Sequence, residues 1–228
     1  MIFDELTEVL DPEPHPAAVN MALDEILLRE AKGPLFRVYR WLRPSISFGY
    51  FGKVAEAEKA WPGRESVRRW TGGGIVPHGT DVTYTIIAPR SCPFFRVGPL
   101  ESYARIHEAV ASALGSVSAG IALASAAAEK ISDACFDNPA RHDVLAEGRK
   151  VAGAAQRRTQ HGLLHQGSIQ MAHGDSREMN TAAETIKATL RNALSFSASA
   201  RPLHACELER AEALAGEKYA REEWLRRF

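Results

Sequence analysis

One octapeptide limits what this chain can become more than any other stretch: Asp81 to Ala88, DVTYTIIA. Its β-branched and aromatic residues fit a pleated, packed surface, which makes it a strand. It is entered through Arg68-Arg69-Trp70-Thr71-Gly72-Gly73-Gly74-Ile75-Val76-Pro77-His78. Three successive glycines cost backbone entropy, so they point to a loop whose main chain approaches something closely. Amide groups there suit a carboxylate, carbonyl or phosphate, with Arg68 or Arg69 adding charge. The plain alternative is a flexible loop with solvated arginines.

The flanking sequence supplies alternating elements. Residues 1 to about 16 read as a proline-punctuated lead-in. The spacing Val19, Leu23, Ile26, Leu27 predicts a helix with Asn20, Asp24, Glu25 and Arg29 on its opposite face, stopped by Gly33-Pro34. Strands are expected over 35–41 and 45–51, a short charged helix over 53–65, and an extended stretch over 67–71. Tyr103, Ile106, Val110 and Leu114 mark a second helix. Asp143–Ala146 and Lys150–Ala155, joined at Glu147-Gly148, form a hairpin with 163–171 as partner strand. The chain from Ala182 reads as helical, its last helix running from Glu217 to Trp224. These elements predict an α+β fold, a mixed and mostly antiparallel sheet with helices on one side. Residues 1–228 form a single domain in this reading, about 180–228 being a small C-terminal helical extension.

Charge and cysteine usage narrow the function. Lys+Arg and Asp+Glu both number 28, so no global field favours nucleic acid or an anionic membrane. The acidic N-terminus lacks the basic start and apolar core of a signal peptide, and no apolar run approaches the roughly 20 residues that span a bilayer. The three cysteines, Cys92, Cys135 and Cys206, contain no CxxC pair, which argues against disulfides and a bound metal. The cytoplasm is the expected location. The patterns GxxxxGK[ST], GxGxxG after a strand, HExxH and GxSxG are all missing.

Two further segments carry chemistry. In Asp143-Val144-Leu145-Ala146-Glu147-Gly148-Arg149-Lys150-Val151-Ala152-Gly153-Ala154-Ala155-Gln156, small residues leave room for a ligand beside the lysine. A partly buried ammonium suits a carbonyl or phosphate oxygen, whereas a strand lysine is more commonly a solvated edge charge. Cys135, in Cys135-Phe136-Asp137-Asn138-Pro139, is a nucleophile only if a cation or base activates it; otherwise it is a small buried hydrophobe.

Together these segments resemble the lipoate–protein ligase and octanoyltransferase superfamily, which also holds the biotin–protein ligases. RRWTGGGIVPH before DVTYTII is similar to that family's RRxTGGGxVxH loop and strand, and EGRKVAGAAQRR before GLLHQGSIQ to its GRKxxGxAQRR…HxGS segment. NMALDEILL from Asn20 is also family-like, so the likeness runs to about Met171. The resemblance implies a biotin/lipoate ligase-like catalytic domain. It implies that Gly72, Gly73, Gly74, Arg69 and His78 line an acyl pocket, and that Lys150 touches the acyl carbonyl. Gly153, Ala154 and Gln156 form the adjoining wall, while His165 and Gly167 close the site from the facing strand. Trp70, Val76, Tyr84 and Ile86 are candidate tunnel residues.

One branch carries octanoate as a cysteine thioester, with a CFxxP-like segment upstream of its GRK lysine; Cys135 resembles that cysteine. The implied reaction moves octanoyl from acyl carrier protein to a lysine of a lipoyl or glycine-cleavage H-type carrier domain, without a cofactor. The alternatives are an ATP- and Mg²⁺-dependent lipoate ligase holding a lipoyl-adenylate on Lys150, and a non-catalytic acyl-binding homologue. Gly74, where the transferases tend to carry arginine, belongs with the ligase alternative.

Overall fold

The computed structural model describes residues 1–127, 135–170 and 176–228, the side chains of Cys135 and Ser176 excepted. DVTYTIIA becomes β6 (Asp81–Pro89), an inner strand of an eight-stranded sheet. The sheet runs β11 (Ser195–Pro202), β1 (Phe3–Leu10), β2 (Leu35–Tyr39), β6, β10 (Gly162–Gln170), β9 (Arg149–Arg158), β8 (Val144–Ala146), β7 (Ile121–Leu123). Pairings β11–β1 and β1–β2 are parallel and the others antiparallel. A smaller sheet holds β3 (Ser45–Phe48) between β4 (Glu65–Arg68) and β5 (Val76–His78). The mixed, mostly antiparallel sheet of the sequence reading is what forms.

Helices cover both faces of the large sheet, not one. The period of two along β6 explains why. Val82, Tyr84, Ile86 and Ala88 join the core beneath α3 (Pro99–Gly115) and α4 (Ser176–Leu194). On the other face Thr85 bonds Asp24 of α1 (Ala17–Glu30), and Ile87 packs with Leu27 and Leu28. The short α2 (Val54–Ala60) covers the small sheet, where Val54 and Ala57 pack on Ile46 and Phe48.

α1 therefore differs from an ordinary amphipathic helix. Asn20, Asp24 and Glu25, the expected opposite face, are as buried as Leu23. Buried charge needs partners, and β2 supplies one. The guanidinium of Arg37, 1% exposed, bonds Asp11 (2.9 and 2.7 Å), Asp24 (2.9 Å) and the Asn20 side chain (2.7 Å). Glu25 takes Tyr219 (2.5 Å) and Lys218 (2.6 Å) from beyond α5 (Ala205–Leu214).

Two expected non-strand regions belong to the sheet. The lead-in forms β1, and the supposedly all-helical tail contributes β11 at the sheet's edge, paired from Phe3↔Ser195 to Leu10↔Pro202. Neither carries a strong alternating pattern; their partner strands stabilise the extended form. After α5 the chain passes through a π-turn, Ala215–Tyr219, to α6 (Glu222–Leu225), in place of one helix from Glu217 to Trp224. Met171, the expected end of β10, lies outside the described residues.

Candidate active site

The glycine loop is held from inside. Arg69 donates to the carbonyls of Gly72 (2.9 Å) and Gly74 (2.8 Å), and to Ser47 Oγ (2.7 Å). Arg68, fully buried, donates to the carbonyls of Tyr50, Gly52, Trp224 and Leu225. Both arginines thus brace the fold around the loop, and Arg69 also lines the inner slot described below. Of the three glycines, Gly73 has a left-handed backbone (φ 90°). Its carbonyl lies where a Cβ on Gly49 would sit, 2.0 Å away, so Gly49 is the glycine that permits the close approach. Sequence reasoning passed over Gly49, although SFGYFG offered the signal.

Behind the loop, hydrogen bonds fix His78. Ser47 Oγ accepts from Arg69 and lies 2.6 Å from His78 Nε2, and His78 Nδ1 lies 2.8 Å from Asp81. Asp81 also accepts from Thr83 (2.8 Å) and Ser168 (2.7 Å). Burial pushes the Asp81 carboxyl up, but His78 and these hydroxyls outweigh it and hold it below its usual value. The imidazole stacks on Trp41 at 4.0 Å. Thr71, immediately before the glycines, donates to Gln166 (2.7 Å), whose amide donates to Asp24 (2.7 Å). The Arg37 network therefore reaches the loop.

Lys150 occupies the position that matters most. Its ammonium lies 2.7 Å from Asp143, with the side chains 2% and 1% exposed, and 5.4 Å from the centre of the Phe136 ring. A Cβ on Gly153 would stand 2.6 Å from Lys150 Cε and 2.8 Å from Nζ. The small residue makes room for the lysine's own side chain, where the sequence suggested room for a ligand. The tight turn before the lysine needs left-handed backbone at Glu147 (φ 49°) and Gly148 (φ 79°).

Two cavities meet here. An outer cleft of about 550 Å³ is lined by Gly72, Gly73, Gly74, Asn138, Asp143 and Lys150. A narrow inner slot of about 30 Å³ continues past Gly73 and Ala154, which line both. Its walls include Met21, Trp41, Val76, Phe136 and Gln166. Of the four guessed tunnel residues, only Val76 lines the slot. Tyr84 and Ile86 point to the opposite face of the sheet, and Trp70 packs against Arg157 and Lys218.

The structure brings Gly72, Gly73, Gly74, Arg69, His78, Lys150, Gly153, Ala154 and Gly167 to the cleft or slot. Gln156 and His165 line neither. Strand alternation turns both toward α3, where Gln156 Nε2 donates to His165 Nδ1 (3.0 Å) and Ser102 donates to Gln156 (3.1 Å). Burial, then the neighbouring His107, holds His165 well below its ordinary pKa. Gly167 leaves space for Tyr84, whose ring atoms lie 2.2–2.4 Å from a hypothetical Cβ. Cys135 begins a 3-10 turn (Cys135–Asp137), and its side chain lies outside the described residues. Among the described residues, no group of three or more His, Cys, Asp or Glu side chains could hold a metal, and no helix is long and apolar enough to cross a membrane.

The sheet and its helices have the fold of solved lipoate-protein ligases. A structure of lipoate-protein ligase A bound with ATP superposes with a TM-score of 0.74 at 20% identity, covering 99% of this chain and 98% of that one. A bipartite lipoate protein ligase from Thermoplasma acidophilum gives 0.70 at 19%, covering 98% and 96%. The chain belongs to the lipoyl protein ligase A/B catalytic domain family, whose model matches residues 16–199. It is similar to the octanoyltransferase LipM of Carboxydothermus hydrogenoformans, 40% identical over 165 residues (67% of this chain, 60% of the relative). The LipM of Moorella thermoacetica is 37% identical over 178 residues (72% and 65%). The chain thus spans less than two thirds of the length of these relatives.

Proposed function

We propose that this protein transfers an octanoyl group from acyl carrier protein to a lysine on a lipoyl or glycine-cleavage carrier domain, through a thioester on Cys135. In this reading residues 1–228 act as one catalytic unit in the cytoplasm. The observation that carries it is the buried Lys150–Asp143 pair lining the outer cleft, from which the mostly apolar slot continues past Gly73 and Ala154. The acyl chain lies in the outer cleft, where Lys150 meets its carbonyl, and only its end reaches the slot; each CH₂ buried contributes about 0.8 kcal/mol. Cys135 releases its proton and attacks that carbonyl as the thiolate, Lys150 stabilises the transient oxyanion, the C–S bond to the carrier breaks, and the departing thiolate takes up a proton in exchange. The acceptor's ε-amine next attacks the enzyme thioester, an amide forms, and the Cys135 thiol is restored. The donor thioester supplies the activation, so no nucleotide enters. The octanoyltransferase relatives support the chemistry. The position of Phe136 supports the nucleophile, since its ring lies beside Lys150 and lines the slot.

Intact-mass measurement tests the proposal. Octanoyl-carrier protein without ATP is expected to add one octanoyl group to the protein, and Cys135→Ala to abolish the adduct. No adduct, together with acylation of a carrier domain that requires ATP and Mg²⁺, overturns it in favour of a ligase. Thermal stabilisation by octanoate with no turnover in either assay overturns it in favour of a binding homologue.

A further inference from the structure

α3 presents Tyr103 and His107 one turn apart, so both side chains meet the same neighbour, and Tyr103 also lines the outer cleft. That neighbour is the turn carrying Asp143. Tyr103 donates its hydroxyl to Asp143 Oδ1 (2.5 Å) and accepts from the Ala154 amide (3.1 Å). His107 Nδ1–H donates to the carbonyl of His142 (2.7 Å). His142 is a non-glycine residue with left-handed backbone, φ 71°. Such a conformation costs of order 1–3 kcal/mol and persists only when its surroundings over-determine it. Here the surroundings are explicit. His142 N–H donates to Ala124 (2.8 Å), the Asp143 carbonyl accepts from Ala124 (2.8 Å), and Asp143 N–H donates to Ala140 (3.0 Å). The Ala140 amide in turn bonds Asp143 Oδ2 (2.6 Å), the oxygen that faces Lys150 at 2.7 Å.

We infer that Tyr103 and His107 are positioning residues: they lock the strained turn at His142, which aims the Asp143 carboxylate so that the Lys150 ammonium stays in the cleft. The assignment rests on the proposed role of Lys150, but the geometry is independent of the acyl donor. His107 suits the task because it is neutral; burial, set against the attraction of Asp143, brings its pKa to about 4. With Nδ1–H given to His142, its Nε2 has no hydrogen-bond partner among the described residues. The imidazole thus serves as a one-sided donor. Tyr103 is held as a neutral phenol by burial and by Asp143, so it remains a donor.

Two readouts test the inference. In octanoyl transfer, Tyr103→Phe and His107→Leu are expected to lower kcat about 10- to 100-fold, the scale of a misplaced group, with KM for the acyl donor little changed. His107→Asn, whose amide reproduces the Nδ1–H donor, is expected to recover most of the rate. The second readout needs no activity: the fraction of Lys150 acetylated by trace acetic anhydride at one fixed pH, read by peptide mass against the other lysines of the same sample. Asp143, at 2.7 Å, shields this ammonium from the reagent. A carboxylate that swings away frees the lysine to move, so Lys150 in Tyr103→Phe and His107→Leu is expected to be acetylated more heavily than in the unmodified protein, and His107→Asn to follow the unmodified protein. Identical acetylation in all four proteins overturns the inference, as does His107→Asn behaving like His107→Leu. If the unmodified protein transfers no octanoate, the functional proposal fails while the acetylation still decides this one.

Discussion

Two buried cations, Arg37 paired with Asp11 and Asp24 and Lys150 paired with Asp143, are almost equally hidden from solvent and have different consequences. Arg37 is 1% exposed and Lys150 2%. The guanidinium is planar and forked, and it meets two carboxylates and an amide oxygen inside the α1 side of the sheet. It lines neither the cleft nor the slot. The ammonium is a compact charge on a flexible stem and opens onto the cleft. Burial of charge therefore does not distinguish scaffold from site here. What distinguishes them is whether the cation itself faces a cavity: Asp11 lines a separate cavity of about 790 Å³, whereas Arg37 lines none of the three.

The comparison breaks if the two cations can be exchanged in effect. Lys150→Met is expected to reduce octanoyl transfer about 1,000-fold, the upper range for losing one oxyanion-stabilising group, measured as single-turnover transfer to a carrier domain. Its stability loss should be the smaller of the two, because Asp143 retains Tyr103 and the Ala140 amide and adjoins an open cleft. Arg37→Met leaves two carboxylates buried without their cation, and is expected to cost about 3–5 kcal/mol in urea unfolding. A loss below that for Lys150→Met would reverse the assignment of scaffold and site.

A pH titration sharpens the picture on the site side. His107 has a folded pKa of about 4 against an ordinary value of 6.5. The unfolded chain thus binds the proton more readily, so stability falls as pH drops from about 6.5 to about 4 and this contribution then levels off. A shift of that size corresponds to about 3 kcal/mol. Urea midpoints measured across this window are expected to decline, with a shallower decline in His107→Asn. Asp81 acts at lower pH: its depressed folded pKa gives stability that is complete above about pH 4 and is lost as pH falls through the folded value. The smallest expected effect is that of Gly153→Ala. The added methyl meets the lysine's flexible end, costing about 1–3 kcal/mol of overpacking, and is expected to slow transfer about tenfold through displacement of the ammonium. An unchanged rate would show that the lysine has room to move.

Much of this site was legible in the letters because its motifs are local. The glycine loop, the lysine hairpin with its turn at Glu147-Gly148, and the strand at Asp81 all fold as their sequences indicate. The polar face of α1 was misleading. Asn20 and Asp24 have the spacing of a solvated stripe, yet Arg37, Thr85 and Gln166 bury them from other strands. His165 and Gln156 turn toward α3 and line neither the cleft nor the slot, which motif proximity does not reveal because it does not say which way a strand faces. Tyr103 was read only as one apolar position on a helix; its role depends on Asp143, 40 residues away.

The sequence by itself determined that α1, α3, β6, the lysine hairpin and β10 form, where the chain turns between them, and which family the chain resembles. These follow from local periodicity, glycine and β-branched content, all carried by neighbouring residues. Tertiary structure alone decided which face each strand shows, that β1 and β11 join the sheet, and that Lys150 meets Asp143 over the space left by Gly153. Those outcomes depend on pairing between distant segments, where burial makes each charge and hydroxyl find a partner that no short stretch of sequence contains.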